Sequence, residues 1–135
     1  CIFVGIHIQD SRETQQLIEL FSQNGIKAHN LTDNETAKLH IRHLVGGHAP
    51  QVENERLYRF IFPERPGALT RFLDQMRIHW NISLFHYRNH GADFGRILAG
   101  MQVPEEDNAE FQNFLDELGY DYTDETENLA CKLFL

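Results

Sequence analysis

Histidines are the residues in this chain with the widest chemical range, and there are eight. His40, His43 and His48 lie close along the chain, as do His79, His86 and His90. A helical zinc site needs ligands at i and i+4 on one face, usually with a carboxylate-histidine motif. Neither set has that pattern, because His86 and His90 fall in an expected strand and its turn. No metal ligand is assigned, and His86 is read as filling a polar position on a sheet. Nucleophilic catalysis needs a nucleophile, a base and a group that orients the base. No such set is found, so no catalytic residue is assigned. Carboxylates such as Asp116 and Glu117 fall on an expected helix surface and read as a solvated face. No lysine sits in a recognisable cofactor motif and no glycine-rich phosphate loop is present. What remains is binding. Pro63-Glu64-Arg65-Pro66-Gly67 leads into an expected helix, whose first amides lack intrahelical acceptors and favour a carboxylate.

The elements that hold this loop are legible. Residues 56–62 alternate as a strand does. Leu69, Phe72, Leu73 and Met76 recur at i, i+3, i+4 and i+7, the apolar face of a helix that can begin at Pro66. Residues 81–89 and 95–103 read as two further strands. Asp107 and Glu110 have capping-box spacing. Phe111, Phe114, Leu115 and Leu118 form the next helical face, Gly119 ends it, and residues 130–135 are expected to close with a strand. Upstream, residues 2–8 read as a buried strand and Asp10 with Glu13 as a capping box. Leu17, Leu20 and Phe21 lie on one helical face, Gly25 is a C′ residue, and residues 36–42 read as another strand.

A repeat organises these elements. Shifting the sequence by 94 residues lays Gly25 on Gly119, Thr32 on Thr126, Asn34 on Asn128, Lys38 on Lys132 and Leu39 on Leu133. Residues 1–41 thus resemble residues 96–135. The expected architecture is α+β: a complete ferredoxin-like βαββαβ domain over 56–135, an antiparallel sheet with helices on one face. A connector over 44–55 precedes it, and residues 1–43 are the C-terminal half (βαβ) of a first copy. The half copy should leave a sheet edge that favours pairing with another chain.

Bulk properties narrow the partners. A formal net charge of -8 argues against a nucleic acid. No apolar run reaches the ~18–20 residues of a membrane span. The two cysteines make no disulfide framework and no leader is visible, so the cytoplasm is the default location.

Leu57-Tyr58-Arg59-Phe60-Ile61-Phe62-Pro63-Glu64-Arg65-Pro66-Gly67-Ala68-Leu69 resembles the strand-loop-helix of an ACT-type amino-acid-sensing domain. Trp80-Asn81-Ile82-Ser83-Leu84-Phe85-His86-Tyr87-Arg88-Asn89-His90-Gly91-Ala92-Asp93-Phe94-Gly95-Arg96 resembles the hallmark segment of the C-terminal regulatory domain of biosynthetic threonine deaminases. So do Leu118-Gly119-Tyr120, Asp124-Glu125-Thr126, Leu133-Phe134-Leu135, Leu31-Thr32-Asp33-Asn34-Glu35 and His43-Leu44-Val45-Gly46-Gly47, so the resemblance covers essentially the whole chain. It implies two tandem ACT-like subdomains behind a pyridoxal-phosphate catalytic domain that converts threonine to 2-oxobutanoate and ammonia. It implies inhibition by isoleucine, opposition by valine, and a homo-oligomer: a tetrameric parent, with a dimer expected for the part seen here. This chain itself is expected to bind no pyridoxal phosphate and to catalyse nothing. An ACT-like module of another amino-acid enzyme, or a stand-alone sensor, is the alternative.

For an amino-acid effector, Glu64 would answer the ammonium, with Arg65 beside it in the same loop. Gly67 and Ala68 would let a carboxylate approach the helix start. Leu69 and Phe72, with Phe85 or Tyr87, would hold an aliphatic side chain. The resemblance adds weight to Gly67, Leu69 and Leu73, and brings in Val103. Each has a plainer reading. Leu69, Phe72 and Leu73 also suit a core, Gly67 a tight helix start, and Glu64 with Arg65 a solvated loop pair.

Overall fold

The computed structural model describes residues 3–6, 8, 10–44, 51–76, 80–89 and 93–135. His48, His79, His90 and residues 45–50 of the expected connector lie outside the described residues.

Four strands form one antiparallel sheet: β1 (Glu55–Pro63), β2 (Asn81–Asn89), β3 (Phe94–Gln102) and β4 (Asp121–Asp124), in the order β2-β3-β1-β4. With α3 (Ala68–Met76) after β1 and α4 (Asn108–Leu118) after β3, this is the expected βαββαβ plan. Alternation along β1 sends Tyr58, Phe60 and Phe62 to one face. There they pack with Ile97, Ala99 and Met101 against Phe72, Phe111, Leu115 and Leu118. Trp80 closes this core edge-on to Phe111, ring centroids 5.0 Å apart.

The other face is also covered, which the one-sided plan did not include. Leu98 and Leu84 pack there against Ala37, Leu31, Ala130 and Phe134. The first two belong to α2 (Glu35–Leu44) and the turn before it, the last two to α5 (Leu129–Phe134).

Both helices correct the sequence reading, which took residues 36–42 and 130–135 for strands. Asn34 Oδ1 accepts from the Ala37 amide at 2.8 Å, and Asn128 Oδ1 from the Ala130 amide at 2.8 Å. Each asparagine satisfies an amide that a helix start would otherwise leave open. Ala130, Cys131 and Phe134 are buried at i, i+1 and i+4, a helical stripe. The closing strand comes earlier than expected, as Asp121–Asp124 pairs with β1 through Tyr58↔Asp124 and Ile61↔Asp121.

In the upstream copy, α1 (Ser11–Gln23) forms with Asp10 as its cap, accepting from the amides of Arg12 (2.7 Å) and Glu13 (3.2 Å). Gly25 follows it at φ 73°, as Gly119 follows α4 at φ 67°. The strand expected over 2–8 is not formed at described residues 3–6 and 8. In the second copy β1 sits between β3 and β4 and bonds to both. Residues 3–6 and 27–30 are the counterparts of β3 and β4. No counterpart of β1 lies between them among the described residues, and a strand without a neighbour has no ladder to join.

The second capping box is also corrected. Asp107 precedes α4 but makes no side-chain cap. Its Oδ2 instead accepts from the Trp80 indole N–H at 3.1 Å, pinning the buried ring from its polar end.

Candidate functional site

The loop between β1 and α3 turns through Gly67 at φ +82°, a left-handed conformation that glycine adopts without strain. A Cβ there would meet nothing within 4 Å, so the turn faces open space. The helix begins at Ala68, two residues later than the expected start at Pro66. The Ala68 amide donates to the Arg65 carbonyl at 3.1 Å and the Arg71 amide to the Gly67 carbonyl at 2.9 Å. Part of the expected anion cradle is therefore already bonded within the turn.

Glu64 is fastened from two sides. Its amide donates to the Asp93 carbonyl at 2.8 Å, and its Oε1 accepts from the Tyr87 hydroxyl. That bond, then burial and the carboxylate charge, raises the Tyr87 phenol above its ordinary pKa, because removing its proton would leave two oxyanions in contact. Gly95 lies under this pair, opposite both Phe62 and Asn89 in the sheet. A Cβ on Gly95 would stand 2.6 Å from Glu64 Oε1 and 2.7 Å from the Phe62 ring. The absent side chain is what lets the carboxylate reach across the strand.

Behind these groups stands an aromatic wall. The Phe62 ring is 5.8 Å from Tyr87 and 6.4 Å, stacked, from Phe72. Phe72 lies 6.2 Å from Phe85. Phe72 is fully buried, so core packing accounts for it whatever its relation to a ligand. Leu69, Leu73 and Phe85 are half-buried against the same core, Ala68 is buried, and Arg65 is exposed.

The structure places Glu64, Gly67 and Tyr87 at the end of the sheet where β1 leads into α3, with Ala68, Leu69, Phe72 and Leu73 along that helix and Phe85 further down β2, opposite Ala99. Val103 is not among them. It follows the end of β3, where Gln102 pairs with Glu55, about seven residues along β1 from Phe62, roughly 23 Å at ~3.3 Å per residue. It is buried, and its amide bonds the Asn54 carbonyl at 2.9 Å, a core position at the far end.

Sequence reading missed two contributors. Gly95 has no site role in the sequence reading, although a glycine inside a strand signals close approach of another group. Arg88 carries the second: its Nη1 donates to the Leu39 carbonyl at 2.8 Å and the Lys38 carbonyl at 3.4 Å, tying β2 to α2. A cavity of about 1300 Å³ opens beside that contact, bounded by residues 3–6, the inner face of α1, the chain after Gly25 and Tyr87 with its neighbours on β2. Tyr87 is the one residue of the expected site that lines it.

Comparison with known proteins adds independent findings. A family described as the C-terminal regulatory domain of threonine dehydratase matches residues 46–135. The chain is 53% identical to the L-threonine dehydratase biosynthetic IlvA of Burkholderia multivorans, over 99% of this chain and 26% of that protein. It is 50% identical to the mitochondrial threonine dehydratase of Saccharomyces cerevisiae, over 99% of this chain and 23% of that one. It is 46% identical to the biosynthetic IlvA of Escherichia coli K12, over 100% and 26% respectively. The chain spans about a quarter of the length of these curated relatives.

Proposed function

The chain belongs to the family of threonine dehydratase C-terminal regulatory domains, and from that premise we propose that it senses a branched-chain amino acid and relays its presence to a catalytic domain. The inhibitory effector is isoleucine and the opposing one valine. The reaction controlled is deamination of threonine to 2-oxobutanoate and ammonia by a pyridoxal-phosphate domain elsewhere in a longer, homo-oligomeric protein. A pyridoxal-phosphate site needs a lysine placed to form a Schiff base. The three lysines here, Lys27, Lys38 and Lys132, are all exposed, and the last two are paired with Glu35 and Glu127. This chain's residues do not fit that cofactor, which belongs to the catalytic domain. Among the described residues no helix is long and apolar enough to cross a membrane. A cytoplasmic location belongs with this proposal; the yeast relative is named as mitochondrial and a tomato relative as chloroplastic.

The observation that carries the sensing role is the Tyr87–Glu64 hydrogen bond beside the open Gly67 turn. An effector's ammonium competes with the Tyr87 hydroxyl for the same carboxylate, and a charge-assisted bond is the stronger of the two. Its carboxylate faces the start of α3, where the helix dipole is positive. Its aliphatic chain lies on half-buried Leu69 and Leu73. Isoleucine and valine differ by one methylene, worth about 1–3 kcal/mol in an apolar pocket. Opposite effects from such similar ligands need two conformations or two sites; in this proposal isoleucine stabilises an inhibited arrangement of the repeats and valine an active one.

Calorimetric titration with isoleucine, valine and alanine tests the reading. Saturable isoleucine binding that weakens in folded Glu64→Gln and Leu69→Ala variants supports it. Equal binding by wild type and both variants removes the site from this loop.

A further inference from the structure

The two copies meet where α2 lies across β2, and at that contact two imidazoles touch. His40 is completely buried, and its Nδ1 lies 2.5 Å from His86 Nδ1, the rings edge-to-face with centroids 4.8 Å apart. Two ring nitrogens this close share one hydrogen, one donating and the other accepting through its lone pair. At least one ring must therefore be neutral. We propose that this pair makes the docking of α2 on the sheet proton-sensitive, holding the copies together when neutral and releasing them when both rings are charged. The inference does not depend on the effector site.

The surrounding charges act in the same direction. On β2, Arg88 grips the α2 carbonyls beside His40. On β3, Arg96 stands opposite Arg88 in the sheet register. The charges around them on the same face are already engaged: Arg59 of β1 with Glu125, Glu35 with Lys38 on α2, and Lys132 of α5 with Glu127. Glu55 of β1 accepts from the Ser83 hydroxyl. Lys27 lines the adjacent cavity with His86 and adds positive charge. Among the described residues, a second proton on the pair would thus meet Arg88 and Arg96, while Glu125, Glu35, Glu127 and Glu55 are each held by another group.

The sign follows from proton counting. In the unfolded chain both histidines protonate near pH 6.5. The docked pair holds fewer protons there, so docking weakens as pH falls through that range. The repeat supplies a control. Phe134 occupies the position equivalent to His40 under the 94-residue shift and packs against Phe3, ring centroids 6.4 Å apart. An aromatic ring without a titratable nitrogen is therefore tolerated at this position of the plan.

The test is hydrogen exchange of this chain at about pH 5.5 and about pH 7.5, either side of the histidine range, corrected for intrinsic exchange rates. Protection of α2 and β2 should drop on the order of tenfold at the lower pH, with α4 unchanged. His40→Phe and His86→Gln should each abolish the drop. No drop in the wild type overturns the proposal. So does an undiminished drop in either variant that keeps its helical circular dichroism. If His40→Phe does not fold, His86→Gln decides alone.

Discussion

Asn34 donates from its amide nitrogen to Asn128 Oδ1 across 2.8 Å, although 94 residues separate them. Each also caps its own helix, and the chain before each turns alike. The Thr32 amide bonds Asn30 Oδ1 and the Thr126 amide bonds Asp124 Oδ1. The Asn34 amide bonds the Leu31 carbonyl and the Asn128 amide that of Glu125. One turn-helix unit is built twice, and the copies join at their caps. Asn128 also donates to Glu125, whose other oxygen accepts from Arg59 of β1 at 2.8 Å, so the joint is anchored to the central strand.

Removing this joint should cost stability in a coupled way. Asn34→Ala is expected to lose about 1 kcal/mol and Asn128→Ala about 1–2 kcal/mol, the usual range for a lost cap. The double variant should lose less than the sum, with a coupling of about 0.5 kcal/mol or more, because both single changes break the shared bond. Denaturant unfolding of the four proteins measures it, and strict additivity would mean the bond contributes nothing.

Gly95→Ala should strike the proposed effector site without unfolding the sheet. The new methyl would meet the Phe62 ring, held in the core, and Glu64 Oε1, which can swing away. Overpacking of this kind costs about 1–3 kcal/mol. Isoleucine affinity should fall while the circular dichroism spectrum stays; unchanged affinity would separate Glu64 from the effector.

Phe72 and Leu69 should respond differently to truncation. Phe72 touches Phe60, Phe62, Phe85 and Tyr120 and is sealed from solvent, so Phe72→Ala should cost about 3–5 kcal/mol. Leu69 is half-buried and should cost below ~2 kcal/mol. Urea midpoints together with isoleucine titrations separate the roles. If Leu69→Ala lowers stability as much as Phe72→Ala, Leu69 is core.

Two of the four tyrosines should ionise late. Burial, with the Asp124 carboxylate beside it, pushes the Tyr58 phenol up to about 12, and its bond to Glu64 raises Tyr87. A phenol is uncharged when protonated, so a raised folded pKa stabilises the fold fully below the ordinary value near 10. That stability is lost as pH rises toward 12. Phenolate absorbance should show a late phase that Tyr58→Phe removes, and Glu64→Gln should return Tyr87 toward 10. A single transition near 10 would contradict both environments.

What the sequence alone determined is whatever periodicity and local bonding decide. Alternation over 56–62, the i, i+3, i+4, i+7 face from Leu69 to Met76 and the C′ glycines marked β1, α3 and the ends of α1 and α4, because those signals arise within a few residues of one another. The repeat and the motif over 80–96 carried the family. Residues 36–42 and 130–135 were undecidable at that level: short apolar runs satisfy a buried strand and one helical turn equally. Tertiary structure chose, because residues 121–124 took the place beside β1 and left α2 and α5 to cover the opposite face. The cap signal at Asn34 and Asn128 was present in both copies, yet a cap competes with strand propensity and only a filled sheet settles the contest. Tertiary structure also turned Asp107 to Trp80, set Val103 at the far end of the sheet, and brought Glu64 to Tyr87 over Gly95 and His40 to His86. Such contacts join residues distant along the chain, and strand register and helix packing, not local pattern, fix which of them meet.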